Sequence, residues 1–270
     1  MSRSYREGTR AHYRDARYYE QAYQKRRNDV RFYVDLAAEL RARRVLELGV
    51  GTGRVALALA RAGVEVVGVD LMPSMLEGLR TRLEREPASV RERVTLRTGD
   101  LRRFRAKERF PLVIAPFNVF MHLYDRSDWE RALARVHEHL RPSGRLAFDV
   151  LLPDPFILSR PPTRRFTAGI VPYPSHGKRY RFFESYDYDA ASQVQITTMQ
   201  FVDGRGRAKV TTPLSQRQIF PAELEALLHY NGFRLDQLWG DFDRSPITNE
   251  SPSEIVVARP VNPRRGTKSR

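Results

Sequence analysis

The stretch VLELGVGTGR, Val45 to Arg54, decides the fold, together with its continuation VALALARAGVEVVGVD to Asp70. Val45, Leu46 and Leu48 form the kind of apolar run that a buried parallel strand carries. A glycine-rich turn follows, and Val55 to Ala62 recurs with helical periodicity. A second strand, Val64 to Val69, ends on the acidic Asp70, which makes the unit βαβ with Gly49, Gly51 and Gly53 in its first turn. Glycine there lets a ligand touch the backbone, which a Cβ would prevent. The turn is a docking place.

Spacing narrows the choice of ligand. The dinucleotide fingerprint needs a small third residue for close helix packing, and Arg54 stands there instead. A P-loop is excluded because no Gly-Lys-Ser/Thr follows. What remains is Glu47-x-Gly49-x-Gly51-x-Gly53 with Asp70 closing the next strand, and this resembles motif I of the class I S-adenosylmethionine-dependent methyltransferases. The resemblance implies an α/β fold with a Rossmann-like seven-stranded methyltransferase sheet. It also implies S-adenosylmethionine as cofactor, S-adenosylhomocysteine as product, and in-line methyl transfer; the inserted β layer and the missing nucleobase motif described below are what point to N or O of a small metabolite as acceptor. Asp70 suits the ribose, as a charged acceptor with two oxygens for two hydroxyls.

The rest of the cofactor half follows in order. Leu71 to Glu84 reads as a helix entered through Pro73, with Leu71 and Met75 placed either to wall an adenine or to pack the helix. Val94 to Arg97 is a short strand leading to Gly99-Asp100-Leu101, which resembles the family's adenine-contacting turn. Pro111 to Phe117 reads as a fourth buried strand, and Asn118 to Tyr124 extends beyond its carboxyl end, where open parallel sheets bind their ligands. Adenine- and glutamine-methylating members carry Asp/Asn-Pro-Pro-Tyr/Phe here, whereas this chain has Ala115-Pro116-Phe117-Asn118. That departure points away from nucleobase acceptors. The strand end also lacks the aspartate a catechol-type magnesium site would want, so no metal is expected. Asn118 and His122 are the candidate catalytic residues, and Pro116 and Phe117 belong to the cofactor and acceptor sides. A neutral His122 imidazole would suit an O–H or ammonium acceptor, with a structural histidine as the competing reading. Ser127 to Leu140 is a helix that Ser127 can cap, stopped by Pro142-Ser-Gly before a fifth strand, Arg145 to Leu151.

Ahead of the sheet, Asp15 to Ala38 has the spacing of two helices. The run ARYYEQAY resembles the Tyr-rich helix that closes over the cofactor in many small-molecule methyltransferases. By that resemblance Tyr19 and Arg27 would meet the cofactor and Tyr23 the acceptor; tyrosines packing on the core is the other reading. After Asp149 the texture changes. Pro153 to Pro174 is proline-rich and reads as a loop or strap, and Tyr180 to Asp189, Gln193 to Val202 and Arg207 to Phe220 alternate as strands, with a hairpin turn at Asp203-Gly-Arg-Gly. This inserted antiparallel β layer resembles, in layout, the roof of amino-sugar and glycine methyltransferases. Tyr186 and Arg217 are its acceptor candidates. The resulting plan is a helical lid at 1–38, a cofactor core at 39–151, the insertion at 152–220, the end of the core at 221–260 and a disordered basic tail at 261–270.

Composition bounds the remainder. Hydrophobic content of 41% over 270 residues suits a globular chain. No cysteine is present, which excludes disulfides, Cys-ligated zinc and a Cys nucleophile, including the covalent route to C5-methylated pyrimidines. No run approaches about 18 apolar residues and MSRSYREGTR lacks an apolar signal region, so a cytoplasmic enzyme without a membrane partner is expected. The net charge of +15 invites a nucleic-acid reading, yet residues 1–31 and 259–270 carry +5 each, and Arg outnumbers Lys 42 to 5. A biased composition explains that skew as well as a binding surface does. Six basic and no acidic residues between Arg160 and Arg181 could grip an acidic acceptor or only solvate a strap. An RNA or protein methyltransferase docking through these basic segments, and a cofactor-binding protein without transferase activity, stand as alternatives to the small-molecule enzyme. The oligomeric state is not legible.

Overall fold

The computed structural model describes residues 9–261. The basic tail expected beyond 261 and the first eight residues lie outside the described residues. Two helices lead the chain, α1 (Ala16–Tyr23) and α2 (Asn28–Glu39). The strand predicted from Val45 is β1 (Arg44–Leu48), and every residue after Arg44 is buried, as in a strand covered on both faces. Then follow α3 (Arg54–Arg61), β2 (Glu65–Asp70), α4 (Pro73–Leu83), α5 (Ala88–Arg91), β3 (Val94–Thr98), β4 (Phe110–Ala115), α6 (Arg126–His139) and β5 (Leu140–Leu151). Next come α7 (Pro155–Leu158), β6 (Phe166–Tyr173), β7 (Lys178–Asp189), β8 (Val194–Val202), β9 (Ala208–Arg217), α8 (Pro221–Tyr230), β10 (Phe233–Trp239) and β11 (Ser253–Pro260).

Seven strands form one sheet in the order β10-β11-β5-β4-β1-β2-β3, with β1 to β5 parallel and β11 antiparallel to both of its neighbours, β5 and β10. Apolar residues cover both faces. On one, Trp129, Leu133 and Val136 of α6 and Leu224 and Leu228 of α8 pack with Phe148; on the other, Phe32, Tyr33 and Leu36 of α2 meet Val55 and Leu59 of α3. Strands β6 to β9 make a second, antiparallel sheet. Its inner face holds Tyr173, Tyr180, Met199 and Phe201 against Tyr18 of α1, with the Tyr18 and Tyr173 rings stacked 5.1 Å apart. One helix therefore touches both halves of the molecule.

Three local readings are corrected. The proline-rich 153–174 stretch is no loop: it contains α7 and the whole of β6. Pro155 takes the first helical position behind the Asp154 cap, and Pro172 sits in an edge strand, where a missing N–H costs little. Helix α6 is capped by Asp125, whose carboxylate accepts the Asp128 N–H at 2.8 Å, and Ser127 donates to that carboxylate instead of replacing it. The fifth strand starts at Leu140, five residues early, because a register shift between Phe110 and Leu112 absorbs the Pro142-Ser-Gly segment.

Candidate active site

The first strand lies between β2 and β4, so successive connections leave it in opposite directions and open a crevice at the carboxyl ends of these strands. A cavity occupies it. Glu47, Gly49, Gly51, Asp70, Leu71, Met75, Gly99, Asp100, Leu101, Pro116, Phe117 and His122 line the cavity, and Tyr13 and Tyr19 close it from the N-terminal side. Gly53 lies just behind the wall. Gly49 and Gly53 have φ of +68° and +79°, and a Cβ on either would run into Val119 or Leu79. Their lack of a side chain serves the protein's own packing. Gly51 differs: a Cβ there would face the cavity, with the Tyr19 ring 3.9 Å away as its nearest side chain.

Three acidic groups, Glu47, Asp70 and Asp100, line the cavity. Asp70 accepts the Gly51 N–H and the Met72 N–H, one on each oxygen and both at 2.8 Å, which orients the carboxylate; burial nevertheless raises its pKa. Glu47 is 2% exposed, and its Oε2 has no hydrogen-bond partner among the described residues. Burial holds its carboxyl well above the usual range, with the Arg54 guanidinium opposing. At the far wall Arg102 grips Asp100 through Nε at 2.8 Å and Nη2 at 2.5 Å, and reaches Asp128 at 2.8 Å. Against the cost of its partial burial, that guanidinium holds Asp100 below the ordinary carboxylate range.

The turn after β4 forms the opposite wall. Phe117 and Asn118 both have φ of +64°, an uncommon conformation for two adjacent non-glycine residues. Asp149, buried at the end of β5, holds it: the carboxylate accepts the Phe117 N–H at 2.8 Å and the Asn118 N–H at 3.3 Å, and Tyr33 donates its hydroxyl at 2.6 Å. Burial pushes the Asp149 pKa to about 6 despite these donors. The Phe117 ring is packed by Tyr23, 5.0 Å between centroids, and by the Arg54 guanidinium at 5.1 Å. Arg54 is itself fixed by a two-pronged pair with the buried Asp29, at 2.6 and 2.5 Å.

His122 ends the 3₁₀ turn that follows, Val119–His122. Its Nδ1 lies 3.2 Å from the Ser215 carbonyl oxygen, an acceptor only, so Nδ1 carries the proton. Nε2 is then the bare nitrogen, and Tyr13 donates its hydroxyl to it at 2.9 Å. Burial lowers the His122 pKa to about 4, so the ring is neutral. Ser215 lies in β9, and the second sheet thus positions this histidine.

Not every candidate reaches the cavity. Arg27 is exposed in the N-cap position of α2, and Arg54, with Arg10 and Arg102, lines the wall instead. Tyr23 stands behind Phe117, hydrogen-bonded to His12 at 3.1 Å. Asn118 serves the turn and is not on the wall. Tyr186 donates to Glu184 at 2.8 Å on the second sheet, and Arg217 pairs with Glu223 of α8 and with Gln193 at 3.1 Å; both side chains are taken up by these partners and are off the wall. Conversely, Tyr13, Asp149, Tyr33, Asp29 and Ser215 shape the site and carried no signal of their own in the sequence; only the helical spacing of tyrosines hinted at an aromatic cover.

An open sheet with this strand order, a glycine turn with an unpartnered buried glutamate and an aspartate at the next strand end define a class, and residues 45–144 match the family described as a methyltransferase domain. The chain carries a methyltransferase domain in the fold of the class I enzymes, and it is an S-adenosylmethionine-dependent methyltransferase. It is similar over its length to the cypemycin N-terminal methyltransferase of a Streptomyces species, 28% identical over 81% of this chain and 83% of that protein. Among solved structures it resembles the CcbJ methyltransferase from Streptomyces caelestis, with a TM-score of 0.74 and 28% identity over 87% of this chain and 90% of that one. It also shares the fold of S-adenosylmethionine-bound CalS10, an amino pentose methyltransferase from Micromonospora echinaspora, at a TM-score of 0.67 and 21% identity over 90% and 96% of the two chains. Its cofactor is S-adenosylmethionine, and the unpartnered Glu47 Oε2 beside the open Gly51 fits that group's cationic and close-packed parts.

Proposed function

We propose that this methyltransferase acts on an amino nitrogen of a small natural product or short peptide. When bound, S-adenosylmethionine supplies an electrophilic methyl group on a sulfonium. Glu47 would hold its ammonium, Asp70 its ribose hydroxyls, and Tyr19 and Arg54 the carboxylate end. Leu71, Met75, Gly99, Asp100 and Leu101 would take the adenine, and the aromatic wall of Tyr13, Tyr19 and Phe117 excludes water from the reacting space.

The observation that carries the choice of nitrogen is His122. A neutral imidazole, held with its proton on Nδ1 and its bare Nε2 under the Tyr13 hydroxyl, is a weak base on the cavity wall. An amine needs no stronger help, since its lone pair attacks without first becoming an anion, and orientation supplies most of the rate. The cypemycin enzyme, named for methylation at a peptide N-terminus, supports the same chemistry. The test is release of S-adenosylhomocysteine across matched amines, N-acylated amines and alcohols. Turnover that follows the alcohols and ignores the free amines would overturn the reading.

A further inference from the structure

A second groove, separate from the cofactor cavity, lies between α1 and α4. Ala16, Arg17, Glu20, Gln21 and Gln24 line one side, a single face of α1; Gly78, Thr81, Arg82 and Arg85 line the other, with Pro174 at one end. The two helices meet closely at its floor, because Gly78 presents no side chain: a Cβ there would lie 3.1 Å from the Ala16 Cβ. Three arginines, Arg17, Arg82 and Arg85, line this groove together with a single carboxylate, Glu20. Arg82 Nε is 3.4 Å from Glu20 Oε1. Arg17 and Arg85 are exposed and form no ion pair with any acidic side chain among the described residues.

Arg82 links this groove to the cofactor loop. Its Nη1 donates to the Thr52 carbonyl oxygen at 2.8 Å, and Thr52 lies between Gly51 and Gly53. Glu20, its other partner, follows Tyr19, the cavity-facing residue of α1. Arg82 is one-quarter exposed, and burial lowers its pKa; Glu20 opposes that shift and Arg61 adds to it. The positive charge in the groove is therefore only partly compensated.

We propose that this groove binds a phosphate-sized oxyanion, free or at the end of an ester, and that the bound anion clamps α1 over the cofactor cavity. Guanidinium forks match such an anion with paired hydrogen bonds, and an anion shared by Arg17 of α1 with Arg82 and Arg85 beside it neutralises the excess charge across the helix pair. Because Tyr19 and Arg82 both reach the cofactor loop, a stabilised α1 tightens cofactor binding, and linkage requires that cofactor tighten the anion by the same factor. The proposal rests on the cofactor site described above.

The test is calorimetry of the full chain with S-adenosylhomocysteine in inorganic phosphate, in glycerol phosphate and in sodium chloride of matched ionic strength, alongside direct titration of phosphate without cofactor. We expect phosphate to bind in the millimolar range or tighter and to strengthen S-adenosylhomocysteine binding roughly threefold to tenfold over chloride. Tighter binding of glycerol phosphate assigns the groove to an ester, and tighter binding of inorganic phosphate to the free ion. The doubly substituted Arg17→Gln, Arg85→Gln protein should lose the phosphate effect and keep its cofactor affinity in chloride; each single substitution should lose part of it. Equal effects of phosphate and chloride would overturn the proposal, as would a phosphate effect that survives both substitutions. Absence of S-adenosylhomocysteine binding in every buffer would instead sink the cofactor assignment and the coupling with it, while direct phosphate titration still decides the anion site.

Discussion

The Asp149 carboxylate, at the end of β5, accepts the backbone N–H of Phe117, at the end of the neighbouring β4, at 2.8 Å. That bond ties two parallel strands together where the cavity wall turns, and it holds an aromatic residue in the left-handed region. Asp149→Ala would leave the Phe117 N–H and the Tyr33 hydroxyl, both of which it now accepts, without their carboxylate partner. Each loss of that kind costs about 1–3 kcal/mol. We expect a destabilisation of roughly 3 kcal/mol in urea melts and a fall in kcat/KM of at least about tenfold, since a displaced Phe117 misplaces the reacting pair. Wild-type turnover in Asp149→Ala would show that the turn does not need its anchor.

The glycines of the cofactor turn separate packing from binding. Gly49→Ala forces a Cβ against Val119 at a positive φ, and its main effect should be on folding, a loss of several kcal/mol seen as a lower melting temperature. Gly51→Ala has room, with Tyr19 3.9 Å away, so its extra methyl intrudes on the cavity. Its stability should fall by about 1 kcal/mol for the φ of +54°, while affinity for S-adenosylhomocysteine falls tenfold or more by calorimetry. The reverse ranking would mean that Gly51 faces protein.

His122 should leave no mark on the pH dependence of turnover near neutrality. With a pKa of about 4 it stays neutral from about pH 5 upward. The ionisation seen in kcat/KM should be that of the acceptor amine, and His122→Asn should keep the same profile at a lower level. The fall should be roughly tenfold, far short of the loss of a strong general base, because Nε2 already receives the Tyr13 hydroxyl. A limb near pH 6.5 that vanishes in His122→Asn would overturn this assignment.

How far the sequence could lead is visible in particular residues. Val45 to Asp70 is a local unit, and its periodicity, glycines and terminal acid are all contiguous, so strand, turn and helix could be read directly. Asp149 could not be read, because its role depends on β5 lying beside β4 in register, a relationship between residues more than thirty positions apart. The same holds for Asp29 and Arg54, an ion pair across 25 residues that puts Arg54, and not Arg27, on the wall. Helical spacing placed Tyr18, Tyr19 and Tyr23 on α1, but one step of the helix separates Tyr18, packed on the second sheet, from Tyr19, facing the cavity. Prolines made β6 look like a loop, since nothing local says that its bare edge is a sheet edge.

Glu254 gives the sharpest prediction about stability. It lies in β11 with 0% exposure, and neither carboxyl oxygen has a hydrogen-bond partner among the described residues; burial, aided by the nearby Glu223, raises its pKa to about 8. The fold thus tolerates the protonated acid and resists the carboxylate. Below about pH 4.5 both folded and unfolded chains hold the proton, and the group adds no pH dependence. Between about 4.5 and 8 unfolding releases that proton, so stability falls as pH rises, and above about 8 the whole penalty is present. His12 and His122 act in the opposite sense, since their folded pKa of about 4 makes stability fall as pH drops below 6.5. Comparing a variant with wild type at each pH removes their contribution. Glu254→Gln keeps the shape and discards the charge, so it should lie within about 1 kcal/mol of wild type near pH 5 and exceed it by roughly 4 kcal/mol near pH 8.5 in urea melts. A difference that stays constant across that range would mean that Glu254 ionises normally, with a proton donor or solvent reaching it in solution.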